Sequence, residues 1–210
     1  MTLLPLLVAA GLSQTASAGD DVGIRLKVNS DLFNVSTAQG VDADGDIEGA
    51  TGKNTTMGLF QSTPRFEATY VINPNIEAGL VLGFANAKAV TGDDDDFSSH
   101  STTRRVGITG SYNFKLSDGL RGYVQPLVIS GKVTNKDEDG EMTSGLSSLT
   151  YGANLGMRIR LVKGATFDPA FEYMMGNGKA LDDKGEQTPD EDTMAKYSSY
   201  GLKAGISVKF

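Results

Sequence analysis

Hydrophobic and polar residues alternate with a period of two along most of the chain, in stretches of about ten residues. In the final stretch, Tyr200, Leu202 and Ala204 begin an apolar face that ends at Phe210, while the intervening residues are small or cationic. Equivalent stretches lie at 22–28, 60–72, 76–85, 105–114, 120–128, 151–161 and 167–173. Because about ten tilted residues cross a bilayer, the pattern predicts eight membrane-spanning strands.

The connections between these strands alternate in length. Short connections rich in turn-forming residues lie at 73–75, 117–119 and 163–164. Long ones lie at 34–56, 86–103, 130–148 and 176–196. This alternation of short and long connections is typical of an all-β, antiparallel up-and-down barrel. We therefore predict an eight-stranded transmembrane β-barrel with four long extracellular loops and short periplasmic turns.

The N-terminal segment is typical of a secretory signal. An apolar run from Leu3 to Leu12 precedes Ala16-Ser17-Ala18, a small-x-small cleavage pattern, although no basic residue precedes Arg25. We predict a signal peptide at 1–18 and an outer-membrane β-barrel domain at 19–210, the alternative being a buried N-terminal strand or helix. Later in the chain no apolar run reaches the roughly 18 residues that a membrane helix needs.

Alternation alone also fits a soluble barrel, whose apolar face would point inward. The signal segment, the loop asymmetry, the terminal phenylalanine and aromatics near predicted strand ends favour the membrane. Those aromatics are Tyr70, Phe114, Tyr123 and Phe167.

In a membrane barrel of this size the polar face must pack against itself, because the lumen is only wide enough for side chains. We predict that inward glycines leave volume for a lumenal charge network. Its members are Arg65, Glu67, Glu77, Arg105, Arg121, Arg158, Arg160, Asp168, Glu172 and Lys203. Across the Lys163-Gly164 turn, Arg160 is expected to pair with Asp168. A catalytic carboxylate pair formed by Asp168 and Glu172 is the less favoured interpretation.

These strands, loops and the C-terminal Tyr197–Phe210 segment resemble the small outer-membrane barrels of the OmpA and OmpX type. The resemblance covers nearly all of the chain after the signal and is architectural. It implies an integral protein of the bacterial outer membrane that contacts outer-membrane lipids and lipopolysaccharide. It also implies that Phe210 ends a signal for the barrel-assembly machinery, and that the protein acts in envelope integrity, surface interaction or adhesion. We expect a monomer.

The predicted long loops hold 18 of the 26 acidic residues. Asp42, Asp44, Asp46 and Glu48 have the oxygen density of a calcium site without EF-hand spacing, and are therefore a weak metal candidate. We expect no resident cofactor and at most loosely held divalent cations. The negative charge of these loops disfavours nucleic acid as a partner. An extracellular ligand that binds the loops remains a possible partner.

Three functions remain open at this stage. The first is a non-enzymatic barrel with a charge-plugged lumen, and the second is a small, low-conductance, porin-like pore. The third is a lipid-modifying enzyme or protease. The chain has no cysteine, and its single histidine, His100, lies in a predicted loop. We therefore expect no enzymatic activity.

Overall fold

The computed structural model describes residues 22–41, 52–57, 64–90, 97–137, 139–186 and 194–210. Within these ranges all regular structure is β. The strands are β1 (Gly23–Val41), β2 (Gly52–Met57), β3 (Arg65–Asn73), β4 (Ile76–Val90), β5 (Phe97–Ser117), β6 (Leu120–Lys136), β7 (Met142–Val162), β8 (Ala165–Phe167), β9 (Ala170–Leu181) and β10 (Met194–Lys209). The described residues contain no helix of the length and apolarity needed to cross a membrane.

The strands form a closed antiparallel barrel. Each pairs with its neighbours, and β1 closes on β10 from Arg25 opposite Lys209 to Val41 opposite Met194. β2 and β3 both pair with β1, and β8 and β9 both pair with β7 and β10. Each of these two sets fills one strand position, so the described strands make an eight-stranded up-and-down barrel. The predicted fold class is confirmed.

The apolar face of the barrel points outward. Along β3, burial alternates residue by residue, with Arg65 and Glu67 buried and Phe66 and Tyr70 exposed. On β5, Ile108 is 63% exposed. A soluble barrel would bury these apolar side chains and expose the charged ones, whereas this surface matches lipid. The soluble alternative is therefore excluded for the described barrel.

Tight turns join the strands at one end, which we name the short-turn end. Asn73 Oδ1 accepts hydrogen bonds from the backbone N–H groups of Asn75 at 2.8 Å and Ile76 at 2.9 Å. Gly119 and Gly164 adopt φ values of +86° and +83°, a region that favours glycine. Residues 22 and 210, at the two ends of the described chain, also lie here, since Ile24 and Phe210 exchange backbone hydrogen bonds.

At the opposite end, the predicted loop boundaries are wrong. β7 has 21 residues, about twice the number that a membrane-crossing strand requires. The predicted loop at 130–148 is mostly a hairpin of β6 and β7, and the described residues 137 and 139–141 lie between the two strands. The ladder continues past the apolar belt because polar pairs, such as Asn135 opposite Ser144, are compatible with strand pairing in water. The barrel therefore projects beyond the bilayer.

The two strand prolines have different effects. Pro126 remains inside β6 opposite Ala153, with its carbonyl accepting the Thr109 hydroxyl at 2.9 Å. Pro169 separates β8 from β9, although Asp168 still exchanges backbone hydrogen bonds with Gly205. Proline cannot donate a hydrogen bond to the ladder. The strand assignment is interrupted at Asp168 and Pro169 but continues through Pro126.

Candidate functional site

The lumen near the short-turn end is organised around Glu77. Its carboxylate accepts two hydrogen bonds from Arg158, from Nη1 at 2.5 Å and from Nη2 at 2.9 Å. Arg25 Nε donates to the same carboxylate at 3.3 Å. Glu77 is 2% exposed and Arg158 is 4% exposed. Two guanidinium groups thus compensate one buried carboxylate and tie β1 and β7 to β4 across the barrel.

The predicted pair of Arg160 with Asp168 is wrong. Arg160 lies opposite Thr166 with a register shift just beyond it, and its side chain is exposed at the barrel mouth. Arg158 takes its place, with Nε lying 3.7 Å from Asp168 Oδ2. Asp168 also accepts a hydrogen bond from the Thr166 hydroxyl. The irregularity at the end of β7 is the physical reason for the change of partner.

Glu67 organises the next level of the lumen. One of its oxygens accepts from Asn29 Nδ2 at 2.6 Å and the other from Gln125 Nε2 at 2.7 Å. Lys27 Nζ lies 3.7 Å from the carboxylate. Asn154 extends the network by donating to Gln125 Oε1 at 3.0 Å. A buried charge is tolerated when its lone pairs are satisfied in this way.

Tyr123 lies between these two levels and corrects a further expectation. We expected it among the aromatics at the membrane boundary, but it is fully buried in the lumen. Lys27 Nζ lies 5.2 Å and Arg158 Cζ lies 5.0 Å from its ring centroid, so the ring faces two cations. Gly156 lies opposite and leaves the space that the ring occupies.

A third level is centred on Glu172. Arg65 donates to one carboxylate oxygen, and Lys203 Nζ lies 3.2 Å from the other. Lys203 also forms an ion pair with Asp31. A buried apolar cluster fills further lumenal volume. Its members are Val81, Leu127, Ile129 and Met174.

The structure therefore brings together most, but not all, of the predicted network. Ion pairs join Arg65, Glu67, Glu77, Arg158, Asp168, Glu172 and Lys203 with one another or with added partners. Arg105 and Arg160 are exposed and form no ion pair within the described ranges. Arg121 is half-buried and donates to the Pro74 carbonyl at 2.6 Å.

Sequence reasoning missed Arg25, Lys27, Asp31 and Tyr123 as members of the network. The alternation along β1 already placed Arg25 and Lys27 on the polar face, and this was the available signal. Nothing comparable marked Tyr123, since an aromatic residue near a strand end suits either face.

The remaining predicted sites are outside the described residues or stay predictions. Asp42, Asp44, Asp46 and Glu48, like the signal segment 1–18, lie outside the described ranges. Within those ranges, no group of three or more histidine, cysteine or acidic residues is arranged to hold a metal ion. Phe210 pairs through its backbone with Ile24, and its assembly role stays a prediction.

A closed eight-stranded barrel with an apolar exterior and a charged lumen is the fold of the small outer-membrane β-barrel proteins. Among solved structures, the outer-membrane protein AlkL, determined in lipid bilayers, is similar with a TM-score of 0.55 and 18% identity, covering 94% of both chains. The outer-membrane protein OprG from Pseudomonas aeruginosa is similar with a TM-score of 0.50 and 15% identity, covering 91% of this chain and 98% of that one. No protein-family model and no curated protein matches the sequence.

Proposed function

We propose that the protein is a non-enzymatic barrel of the bacterial outer membrane with a charge-plugged lumen. In this proposal it supports envelope integrity or surface interaction through its acidic extracellular end. The observation that carries the proposal is the Glu77 cluster, in which side chains from opposite walls meet in a buried ion-paired group. Glu67 and Glu172 form further such groups. Side chains that meet across a narrow lumen leave no wide water path.

Conductance of the purified protein in planar lipid bilayers tests the plug. We expect small, intermittent currents in the unmodified protein. Arg158→Ala should lengthen the open time, because it leaves the Glu77 and Asp168 carboxylates without their shared cation and draws water into the lumen. Lys136→Ala, at the far hairpin, is the matched control and should conduct like the unmodified protein. Large, stable, solute-permeable currents in the unmodified protein would refute the plug.

The acidic end supports the surface role. Asp137, Asp139 and Glu141 lie in or beside the β6–β7 hairpin connection, and Asp182 and Glu186 follow β9. Carboxylates at the tips of projecting strands face water and attract cations or basic partners. Cells that lack the protein should become more sensitive to detergent. A chain with these acids replaced by Asn or Gln should restore the barrier but lose cell-surface binding of a basic probe such as polylysine. Unchanged detergent sensitivity and unchanged polylysine binding would contradict the proposal.

A low-conductance pore is the second candidate, and one feature favours it. A cavity of about 440 Å³ enters the lumen from the short-turn end and reaches Glu77 and Arg158. Among the described residues, the ion-paired groups, the Tyr123 ring and the buried apolar cluster lie between this cavity and the opposite end. The bilayer recording distinguishes the two candidates, because a pore would conduct steadily without any substitution.

Enzymatic activity is the least supported function. His100 lies on β5 with Lys88 and Lys136 opposite it on the two neighbouring strands. The residues opposite His100 in the described ladder are thus lysines, which do not supply the carboxylate that commonly orients a catalytic imidazole. Lipid and peptide turnover assays with the folded protein should therefore give only background rates, and His100→Gln should leave them unchanged.

A further inference from the structure

The cavity at the short-turn end has a strong excess of positive charge. Its lining includes six basic residues, Arg25, Lys115, Arg121, Arg158, Arg160 and Lys209, and two acidic ones, Glu77 and Asp118. Its volume of about 440 Å³ lies within the range of ligand pockets, roughly 300–1,000 Å³.

Three of these cations form a row across adjacent strands. Lys115 on β5 lies opposite Arg121 on β6, which lies opposite Arg158 on β7. Like charges directly opposite one another in a ladder repel. The two outer members have carboxylate partners: Lys115 Nζ lies 2.6 Å from Asp118 Oδ1, and Arg158 pairs with Glu77. The hydrogen bond from Lys115 lowers the pKa of the Asp118 carboxyl and keeps it ionised.

The middle member of the row is not compensated in this way. Arg121 donates to the Pro74 carbonyl and has no carboxylate partner among the described residues. Arg160 lines the same cavity, and its guanidinium makes no hydrogen bond or ion pair within the described part of the chain. Two guanidinium groups with unused donors thus border one water-accessible cavity.

We propose that this cavity is a binding site for a phosphate-bearing anion, held by Arg121 and Arg160. Guanidinium groups bind phosphate oxygens through paired, charge-assisted hydrogen bonds. A bound phosphate would also relieve the repulsion along the row. The site does not depend on the orientation or the plug proposed above. A free phosphate and a phospholipid headgroup share this chemistry, and the experiment separates them.

The test uses the full chain folded in zwitterionic detergent micelles, with inorganic phosphate titrated by calorimetry. We expect saturable binding that Arg160→Gln and Arg121→Gln each weaken by about tenfold or more, the usual effect of losing a charge-assisted hydrogen bond. Because the Arg160 side chain is exposed, the Arg160→Gln variant should fold normally. Arg121→Lys keeps the charge but loses the forked donor, so it should weaken binding less than Arg121→Gln. The matched control, Lys136→Gln, removes one positive charge at the far end and should bind like the unmodified protein.

A second arm identifies the source of the phosphate. The protein is placed in phosphatidylcholine bilayers with or without phosphatidylglycerol, and retained lipid is counted by native mass spectrometry. Phosphatidylglycerol retained by the unmodified protein but lost in the Arg121→Gln, Arg160→Gln double variant assigns a headgroup. Phosphate binding without lipid retention assigns a soluble ligand. Absence of both, or equal binding by the double variant, would overturn the proposal.

Discussion

Tyr123 and Gly156 face each other across the β6–β7 ladder, and the phenol fills the volume that a Cβ on Gly156 would occupy. An added Cβ would lie 2.5 Å from Tyr123 Cζ and 2.6 Å from its hydroxyl oxygen. The ring, in turn, separates Lys27 from Arg158. The absence of a side chain at Gly156 therefore leaves room for the Tyr123 ring, which contacts both Lys27 and Arg158.

Gly156→Ala should destabilise the folded barrel by about 1–3 kcal/mol, because the methyl group overpacks a closed lumen. Urea unfolding of the protein in lipid vesicles measures the loss. Gly110→Ala is the control, since its added Cβ would meet its nearest neighbour, the Glu77 carbonyl oxygen, at an ordinary 3.7 Å. Equal stability of the two variants would show that Tyr123 does not depend on this space.

Glu77→Gln should cost about 3–5 kcal/mol of unfolding free energy, because Arg25 loses its carboxylate partner and Arg158 keeps only the longer contact to Asp168. A double-mutant cycle with Arg158→Met should recover part of the loss, since both charges of the pair are then removed. Glu141→Gln, at the exposed hairpin, is the matched control and should change stability by less than about 0.5 kcal/mol. Additive losses in the cycle would argue against the bidentate pair.

Arg158→Ala and Arg160→Ala separate the observed pairing from the one expected from sequence. Arg158→Ala should be strongly destabilising, because Asp168 loses its ion-pair partner and Glu77 loses its bidentate partner and keeps only Arg25. Arg160→Ala should lie within about 0.5 kcal/mol of the unmodified protein, since the side chain is exposed and unpaired in the described residues. Urea unfolding of both variants provides the comparison. If Arg160→Ala were the more destabilising variant, the result would support the pairing of Arg160 with Asp168 that the sequence suggested.

Protease added to intact cells should cut only at the end opposite the short turns, because strands in lipid expose no backbone to solution. Cleavage should be slow within the β6–β7 hairpin, whose paired strands extend to residues 136 and 142. Mass spectrometry of released peptides locates the cuts. Cuts at Asn75 or Asp118 in sealed cells would reverse the proposed orientation.

Replacing Phe210 with Asp should leave export intact but block barrel assembly, if the C-terminal segment acts as the assembly signal. Loss of the heat-modifiable, folded species in gel electrophoresis is the expected result. Phe167→Asp, also half-buried but far from the C-terminus in the sequence, tests whether the effect is specific to the terminal position. Normal folding of the Phe210 variant would remove the basis of that role.

The strand faces could be predicted from sequence because period-two alternation leaves only the choice of which face points outward. The far strand ends could not, since polar residues occupy both faces there and Thr134 or Ser144 signals a loop as well as a ladder. Contacts that depend on strand register also could not be predicted from the alternation of apolar and polar residues. A register shift between Arg160 and Val162 determines which arginine lies near Asp168, and no residue type in the sequence indicates this shift. The role of Gly156 becomes visible only once its partner strand is aligned.

The span between Glu77 and Arg158 has a consequence for how the chain enters a membrane. The two residues are 81 positions apart in sequence, on β4 and β7, and Arg25 contributes from β1. A partly inserted chain that held β1 and β4 without β7 would leave Glu77 with Arg25 alone, without the bidentate Arg158 partner, and incomplete compensation of a charge in a membrane is costly. Insertion strand by strand would therefore meet a barrier that only near-complete closure removes. We therefore expect the ion pair to favour concerted assembly, so that a fragment ending before Arg158 stays outside the bilayer.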